Sequence, residues 1–324
     1  MRRVAIVFTG GTISSEASAS AGGNIPTLDG AAIVARTPGL ESIAAIDIVD
    51  RGRTPASHFT FPDLFAIADA IREVLARPDV DGCVVVQGTD TIEETSFFWD
   101  LVVDDPKPVV VTGAMRAASD EGYDGPRNLS DAVRVAASAS ARGAGTVVVM
   151  NGEIGAADRA TKLRSTGLDA FATLDLGTVD GDDVRIRGRD RRRSVATTRA
   201  ADRVHLITAH VAMDGSLVDA AVASGADGIV VAGTGSGNTS VPLLDACRAA
   251  IDAGIPVVLA SRCGLGGAVP AYAFPGGGVT WVRAGALSAG ELSAPKARVA
   301  LALGIGAGLD RPALTALLAG ALPT

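Results

Sequence analysis

The sequence predicts an α/β protein, with an N-terminal doubly wound, mostly parallel sheet domain and then a smaller C-terminal α/β domain. Three observations predict it. Short β-branched runs alternate with helical periods, the runs are apolar almost without interruption, and the alternation restarts after an arginine-rich stretch near residue 190. Apolar strands separated by helices require a sheet covered on both faces, which is the parallel case. At 324 residues the chain has room for roughly two domains and a sizeable core.

The first strand, "RVAIVF" (3–8), runs into the polar turn "TGGTIS". In "TFPDLFAIADAIREVL" (60–75) the apolar positions 64, 67, 68, 71, 74 and 75 fall on one helical face. Thr60 caps that helix, Pro62 suits its first turn and Asp63 completes a capping box. "CVVVQ" (83–87) is the next strand and leads to "GTDT", where Thr91 and Glu94 predict a second capping box. "PVVVT" (108–112) leads to "GAMR", and "TVVVM" (146–150) to a loop, "NGEIGAADRATK". The basic run "RIRGRDRRRS" (185–194) reads as a solvated turn or connector. Beyond it come "VHLITA", "GIVVAG" and "IPVVLAS", then two Ala/Leu-rich helices. These features predict domains at 1–190 and 204–324, joined by a connector over 191–203.

Composition narrows the function. A net charge of −7 argues against nucleic acid as a partner. Apolar runs such as "VAIVF" and "PVVLA" fall far short of the ~20 residues that span a bilayer, so no membrane association is expected. The start, "MRRVAIVFTGGT", has no apolar signal region. Cys83 and Cys247 sit in apolar patterns, and no His/Cys/carboxylate cluster has metal-ligand spacing. Reduced core thiols in the cytoplasm, with neither metal nor cofactor, are the expectation.

In open parallel sheets, ligands bind beyond the carboxyl ends of the strands, near the point where strand order reverses. The residues just past each strand are therefore informative: Thr12 after the first, Thr89 and Asp90 after "CVVVQ", and Lys162 after "TVVVM". Gly11 and Gly88 precede the two threonines; glycine permits positive φ and leaves N–H groups uncovered, as an oxyanion-binding turn needs. Either threonine turn alone is explained by strand-end and capping preferences. Two at one sheet, with a lysine nearby, point to chemistry. Only three of the 29 Lys and Arg residues are lysine: Lys107, Lys162 and Lys296. Lysine can act as a base where arginine cannot. Lys162 beside Thr161 is thus a candidate, while Lys107 reads as a surface charge and Lys296 as structural. The three histidines come after no G-x-S-x-G elbow, "GTGSGN" (233–238) lacks the lysine of a phosphate loop, and Cys263 has no evident base.

At this point the motifs resemble a known family. "FTGGTIS" (8–14), "VVVQGTDTIEET" (84–95), "KPVVVTGAMR" (107–116), "DGPRNLSDAV" (124–133), "ATK" (160–162), "GTGSGN", "SRCG" (261–264) and "PKARVALAL" (295–303) together resemble the bacterial-type L-asparaginases, in order and over nearly the whole chain. The resemblance implies cofactor-free hydrolysis of a side-chain amide to a carboxylate and ammonia. It also implies a homotetramer, a dimer of intimate dimers, with the C-terminal domain completing the partner subunit's site. By position, Thr12 resembles the nucleophile, Thr89, Asp90 and Lys162 the second constellation, and Asn238 the residue that reaches across the dimer. Thr12 would form an acyl-enzyme, the Thr89 N–H would hold the oxyanion, Lys162 would take a proton through Thr89, and Asp90 would hold the substrate ammonium.

The sequence departs from the family pattern at identifiable places. Ile25 stands where the first loop usually carries a tyrosine, and Tyr123 is a candidate replacement that would swing in. The serine that grips the substrate carboxylate aligns with Ala56, so either Ser57 or main chain at Ala56 takes that contact. Gln87 stands where many members have histidine, and "AYAFPGGGV" (271–279) offers no clear acidic residue. Asparagine hydrolysis leads; glutamine or another small amide, or amino-acid binding with weakened catalysis, are the alternatives.

Overall fold

A computed structural model of the chain describes residues 1–189 and 193–320. It divides into two compact units, Met1–Arg192 and Arg193–Thr324. Strands in the first are β1 (Arg3–Phe8), β2 (Ser15–Ser18), β3 (Gly23–Pro26), β4 (Ala45–Asp50), β5 (Gly82–Val86), β6 (Val109–Thr112), β7 (Thr146–Met150), β8 (Glu153–Ala156), β9 (Thr161–Lys162), β10 (Phe171–Ala172), β11 (Gly177–Asp180) and β12 (Asp183–Ile186). Eight form one sheet in the order β12-β11-β8-β7-β6-β5-β1-β4. The run from β4 to β7 is parallel, and β8, β11 and β12 are antiparallel.

The order explains where a site must lie. From β1 the chain goes outward to β4 at the sheet edge, then returns across β1 to lay down β5 on its other side. The topological switch point therefore falls between β1 and β5, and a crevice opens at their carboxyl ends. Both strands are buried on both faces. Val4, Ile6, Phe8, Val84 and Val86 share a core cluster with Leu129, Ala132, Val133 and Val135 of the helix Gly125–Ala137. The alternate residues Ala5, Val7, Cys83 and Val85 are equally buried, and the helix Phe61–Leu75 packs on β1 and β5. That helix carries the expected Thr60–Asp63 capping box and buries the six apolar positions read from the sequence.

The second unit holds four parallel strands in chain order: β13 (Val204–Thr208), β14 (Gly228–Gly233), β15 (Val257–Ser261) and β16 (Leu287–Ser288). Cys247 lies in its core beside Leu243, Leu244 and Trp281. The helices Ala294–Gly306 and Arg311–Ala319 complete the unit. The fold is thus the expected mixed α/β architecture, with a large mostly parallel sheet and a smaller parallel one.

Several sequence expectations need correction, three of them here. "NGEIGAADRATK" is not a loop: Asn151 (φ +52°) and Gly152 (φ +80°) form a two-residue reversal that folds β8 back on β7. Asn-Gly between apolar runs is a strong hairpin signal, and it was legible. The basic run is only partly solvated. Arg189 is buried, donating to Asp100 at 2.8 and 3.0 Å and pairing with Asp158 at 2.9 Å. Residues 190–192 of that run lie outside the described residues. Lys107 is more than a surface charge, because its ammonium donates to the carbonyls of Leu75 and Arg77 at the C-terminal end of the helix Phe61–Leu75. A cation there meets the negative end of the helix dipole.

Candidate active site

The first turn leaves β1 at Phe8. Thr9 fastens it to the neighbouring strand by donating through both N–H and Oγ1 to the Val86 carbonyl at 3.0 Å. Gly10 (φ +112°) and Gly11 (φ +97°) then occupy the left-handed region that only glycine enters without strain. A Cβ on Gly11 would lie 2.2 Å from the Gly88 nitrogen. The turns after β1 and β5 therefore touch backbone to backbone, and any side chain at Gly11 would force them apart. The Gly11 carbonyl accepts from Ser14 N–H (3.0 Å), Ser14 Oγ (2.7 Å) and Ser15 Oγ (2.9 Å). Because the peptide is planar and trans, this also fixes the opposite direction of the Thr12 N–H. Thr12 opens a short 3-10 turn through Ser14 and is partly exposed. Neither its hydroxyl nor its N–H finds an acceptor among the described residues.

The second turn, Thr89–Thr91, is a 3-10 turn that runs directly into the helix Ile92–Val102. Thr89 is buried at 3% exposure. Gly113 makes room for it: a Cβ there would fall 3.1 Å from Thr89 Cγ2 and 2.6 Å from the Gln87 carbonyl. The Thr89 N–H donates to no acceptor among the described residues. Gln87 is buried and serves the turn, donating from Nε2 to the Gly88 carbonyl at 3.2 Å and accepting from Thr95 Oγ1 at 3.0 Å. The expected Thr91 cap is corrected. Thr91 already has turn geometry (φ −118°, ψ 13°), and its hydroxyl donates to the Ala56 carbonyl at 3.2 Å instead.

Lys162 arrives from a different quarter. The hairpin β7–β8 redirects the chain, and the two-residue strand β9 pairs with β10, Lys162 opposite Phe171. Its side chain, only 11% exposed, donates from Nζ to Thr89 Oγ1 at 2.9 Å and to Asp90 Oδ1 at 2.8 Å. Asp90 itself is 77% exposed and open to a ligand. Ala56, at the start of the 3-10 turn Ala56–His58, is buried against Gly88, with 3.1 Å from a Gly88 Cβ to its own Cβ. Ser57 beside it is exposed. Gly11, Thr12, Gly88, Thr89, Asp90, Lys162 and Ala56 thus surround the carboxyl ends of β1 and β5. Lys296, by contrast, is fully buried in its helix. Asn238 lies in the second unit, in a turn after β14 where its carbonyl accepts from Thr234 N–H at 2.8 Å and Oγ1 at 2.9 Å.

The site also has supporting residues that the motif reading passed over. Ser14 and Ser15 were visible as a pair of hydroxyls just past a glycine turn, a pattern that often serves backbone carbonyls. Asp124 gathers the N–H groups of Met115 (3.0 and 3.1 Å) and Arg116 (2.9 Å) and an Asn128 amide hydrogen (2.9 Å), so the loop 113–124 is internally braced. Tyr123 does not swing in as a free group; its hydroxyl donates to the Ile13 carbonyl at 2.7 Å. Burial, reinforced by the Asp124 carboxylate, raises its phenol above the usual range, so it stays a donor. Ile25 sits on β3 at 40% exposure.

A switch point that gathers hydroxyls, a carboxylate and an amine is the arrangement of an α/β enzyme. The chain belongs to the asparaginase family: residues 3–192 match the N-terminal asparaginase domain and residues 203–318 the glutaminase/asparaginase C-terminal domain. It is 36% identical over 319 residues to a probable L-asparaginase of Deinococcus radiodurans, covering 95% of this chain and 94% of that protein. It is 32% identical over 306 residues to an L-asparaginase of Bacillus licheniformis, covering 93% and 95%. Among solved structures, a probable cytoplasmic L-asparaginase from Campylobacter jejuni aligns with a TM-score of 0.87 at 27% identity, over 98% of this chain and 99% of that one. No helix among the described residues is long and apolar enough to cross a membrane.

Proposed function

We propose that this chain hydrolyses L-asparagine to L-aspartate and ammonia, with Thr12 as nucleophile. The observation that carries the reading is the contact of the Gly11–Thr12 turn with the Gly88–Thr89 turn, whose hydroxyl is held by Lys162. Thr12 Oγ attacks the side-chain amide carbon, and the tetrahedral oxyanion is held by the Thr89 N–H. Collapse expels ammonia, the leaving nitrogen taking up the threonine proton through the Thr89–Lys162 pair. Water then cleaves the ester and returns Thr12. Asp90 is the counter-charge for the substrate's α-ammonium, which its exposure permits. The substrate carboxylate is assigned to main chain at Ala56, since Ala56 rather than Ser57 abuts the second turn. Asn238 completes the partner subunit's site in a homotetramer located in the cytoplasm.

Ammonia release from purified protein, with asparagine and glutamine compared side by side, tests the reaction. Asparagine turnover that falls at least a hundredfold in both Thr12→Ala and Thr89→Val, with Tm preserved, is the expected result. Wild-type turnover in either variant removes the assignment. A preference for glutamine moves the substrate, and calorimetric binding of aspartate without turnover makes the chain a binding member of its family.

A further inference from the structure

We infer that Tyr123 is a positioning residue for the nucleophile, its hydroxyl locking the Thr12–Ser14 turn through the Ile13 carbonyl; the inference rests on Thr12 being the attacking group. Four observations converge. The Tyr123 hydroxyl lies 2.7 Å from the Ile13 oxygen, one residue beyond Thr12. The tyrosine ring is seated rather than loose, because it packs against the core cluster containing Ile13. Gly125 leaves the space it occupies: a Cβ there would fall 2.3 Å from the hydroxyl and 2.4 Å from Cζ. Finally, the loop that carries it is braced by Asp124, so it is a fixed support.

The turn has other restraints, and none of them holds the Ile13 carbonyl: the Ser14 carbonyl accepts from the N–H groups of Thr27 at 2.9 Å and Leu28 at 3.0 Å. Ser14 and Ser15 hold the Gly11 carbonyl on the N-terminal side of Thr12. Further along, the hairpin β2–β3 is tied back by Ala118 N–H to the Ser15 carbonyl at 2.8 Å and by Ala17 N–H to Ser119 Oγ at 3.1 Å. Tyr123 holds the Ile13 carbonyl, the first peptide oxygen beyond the nucleophile's own residue. A threonine hydroxyl that must meet an amide carbon gains from both, since small displacements of a reacting group are costly in rate. A tyrosine from a neighbouring loop thus acts on the turn by holding backbone and not by touching the Thr12 hydroxyl.

The test compares Tyr123→Phe, which keeps the ring and removes the one hydroxyl, with Ser119→Ala, which loosens the same hairpin away from the turn. Tyr123→Phe is expected to lower kcat about tenfold with KM within about twofold, and to speed hydrogen exchange in peptides covering residues 9–28. Ser119→Ala is expected to leave kcat unchanged. A wild-type kcat in Tyr123→Phe, a rise in KM alone, or unaltered exchange over residues 9–28 overturns the inference. Should the wild-type protein turn over no asparagine, the functional reading fails and the exchange comparison decides the positioning role by itself. An active enzyme whose Thr12→Ala variant is also active shows instead that another group is the nucleophile.

Discussion

Gly11 concentrates two demands in one residue: a φ of +97° and a neighbour that a Cβ would meet at 2.2 Å. Gly11→Ala is therefore expected to cost about 2–4 kcal/mol of stability and most of the activity, read by chemical denaturation and ammonia release. A near-wild-type variant would show that the two turns are not packed as described. Asp90 and Lys162 separate by exposure. Asp90→Asn, at a site open to solvent, is expected to raise KM more than tenfold while changing stability by no more than about 1 kcal/mol. Lys162→Met removes the donor to a buried hydroxyl, and kcat should fall at least a hundredfold. The types of these residues were legible, because hydroxyls and a carboxylate at strand ends are conspicuous. The partner of each was not, since Lys162 and Thr89 are 73 positions apart.

The helix Phe61–Leu75 shows how well local rules worked at the scale of elements. Its capping box and buried face both arise from neighbours within four residues. Removing the cap in Thr60→Ala is expected to cost about 1 kcal/mol in urea unfolding. The Thr60 side-chain hydrogen bond, then its N–H, holds the Asp63 carboxyl below the usual carboxylate range. A depressed folded value gives stability that is present above the unfolded value and is lost as pH falls through the folded one. Asp63→Asn should accordingly flatten the decline in stability below about pH 4 and lower stability by a constant amount between pH 7 and 8. Failures at this scale also have physical causes. β4 lies at the sheet edge with an amphipathic pattern, whose apolar signal is too weak to mark it as a strand. The Thr91 box failed because the preceding 3-10 turn had already placed that residue, freeing its hydroxyl for Ala56.

At the scale of the molecule, the buried pairing of Arg189 with Asp100 and Asp158 joins segments from three parts of the first unit. Asp100→Ala strips a buried guanidinium of its main partner and is expected to destabilise by about 3–5 kcal/mol, visible as a lowered denaturation midpoint. The proposed tetramer predicts a light-scattering mass four times the 32.5 kDa chain; a monomer would leave Asn238 without its proposed role. The amino-acid order by itself determined the α/β class, the apolar central strands of both sheets, the helix Phe61–Leu75, and the residue types at the strand mouths, because hydrophobic periodicity and turn chemistry act over a few residues. The strand order β4-β1-β5 was decided only in three dimensions. So were the Gly11–Gly88 contact, the convergence of Lys162 on Thr89 and Asp90, and the seating of Tyr123 beneath Ile13. Each of these joins residues far apart in sequence, and such contacts depend on how whole layers pack.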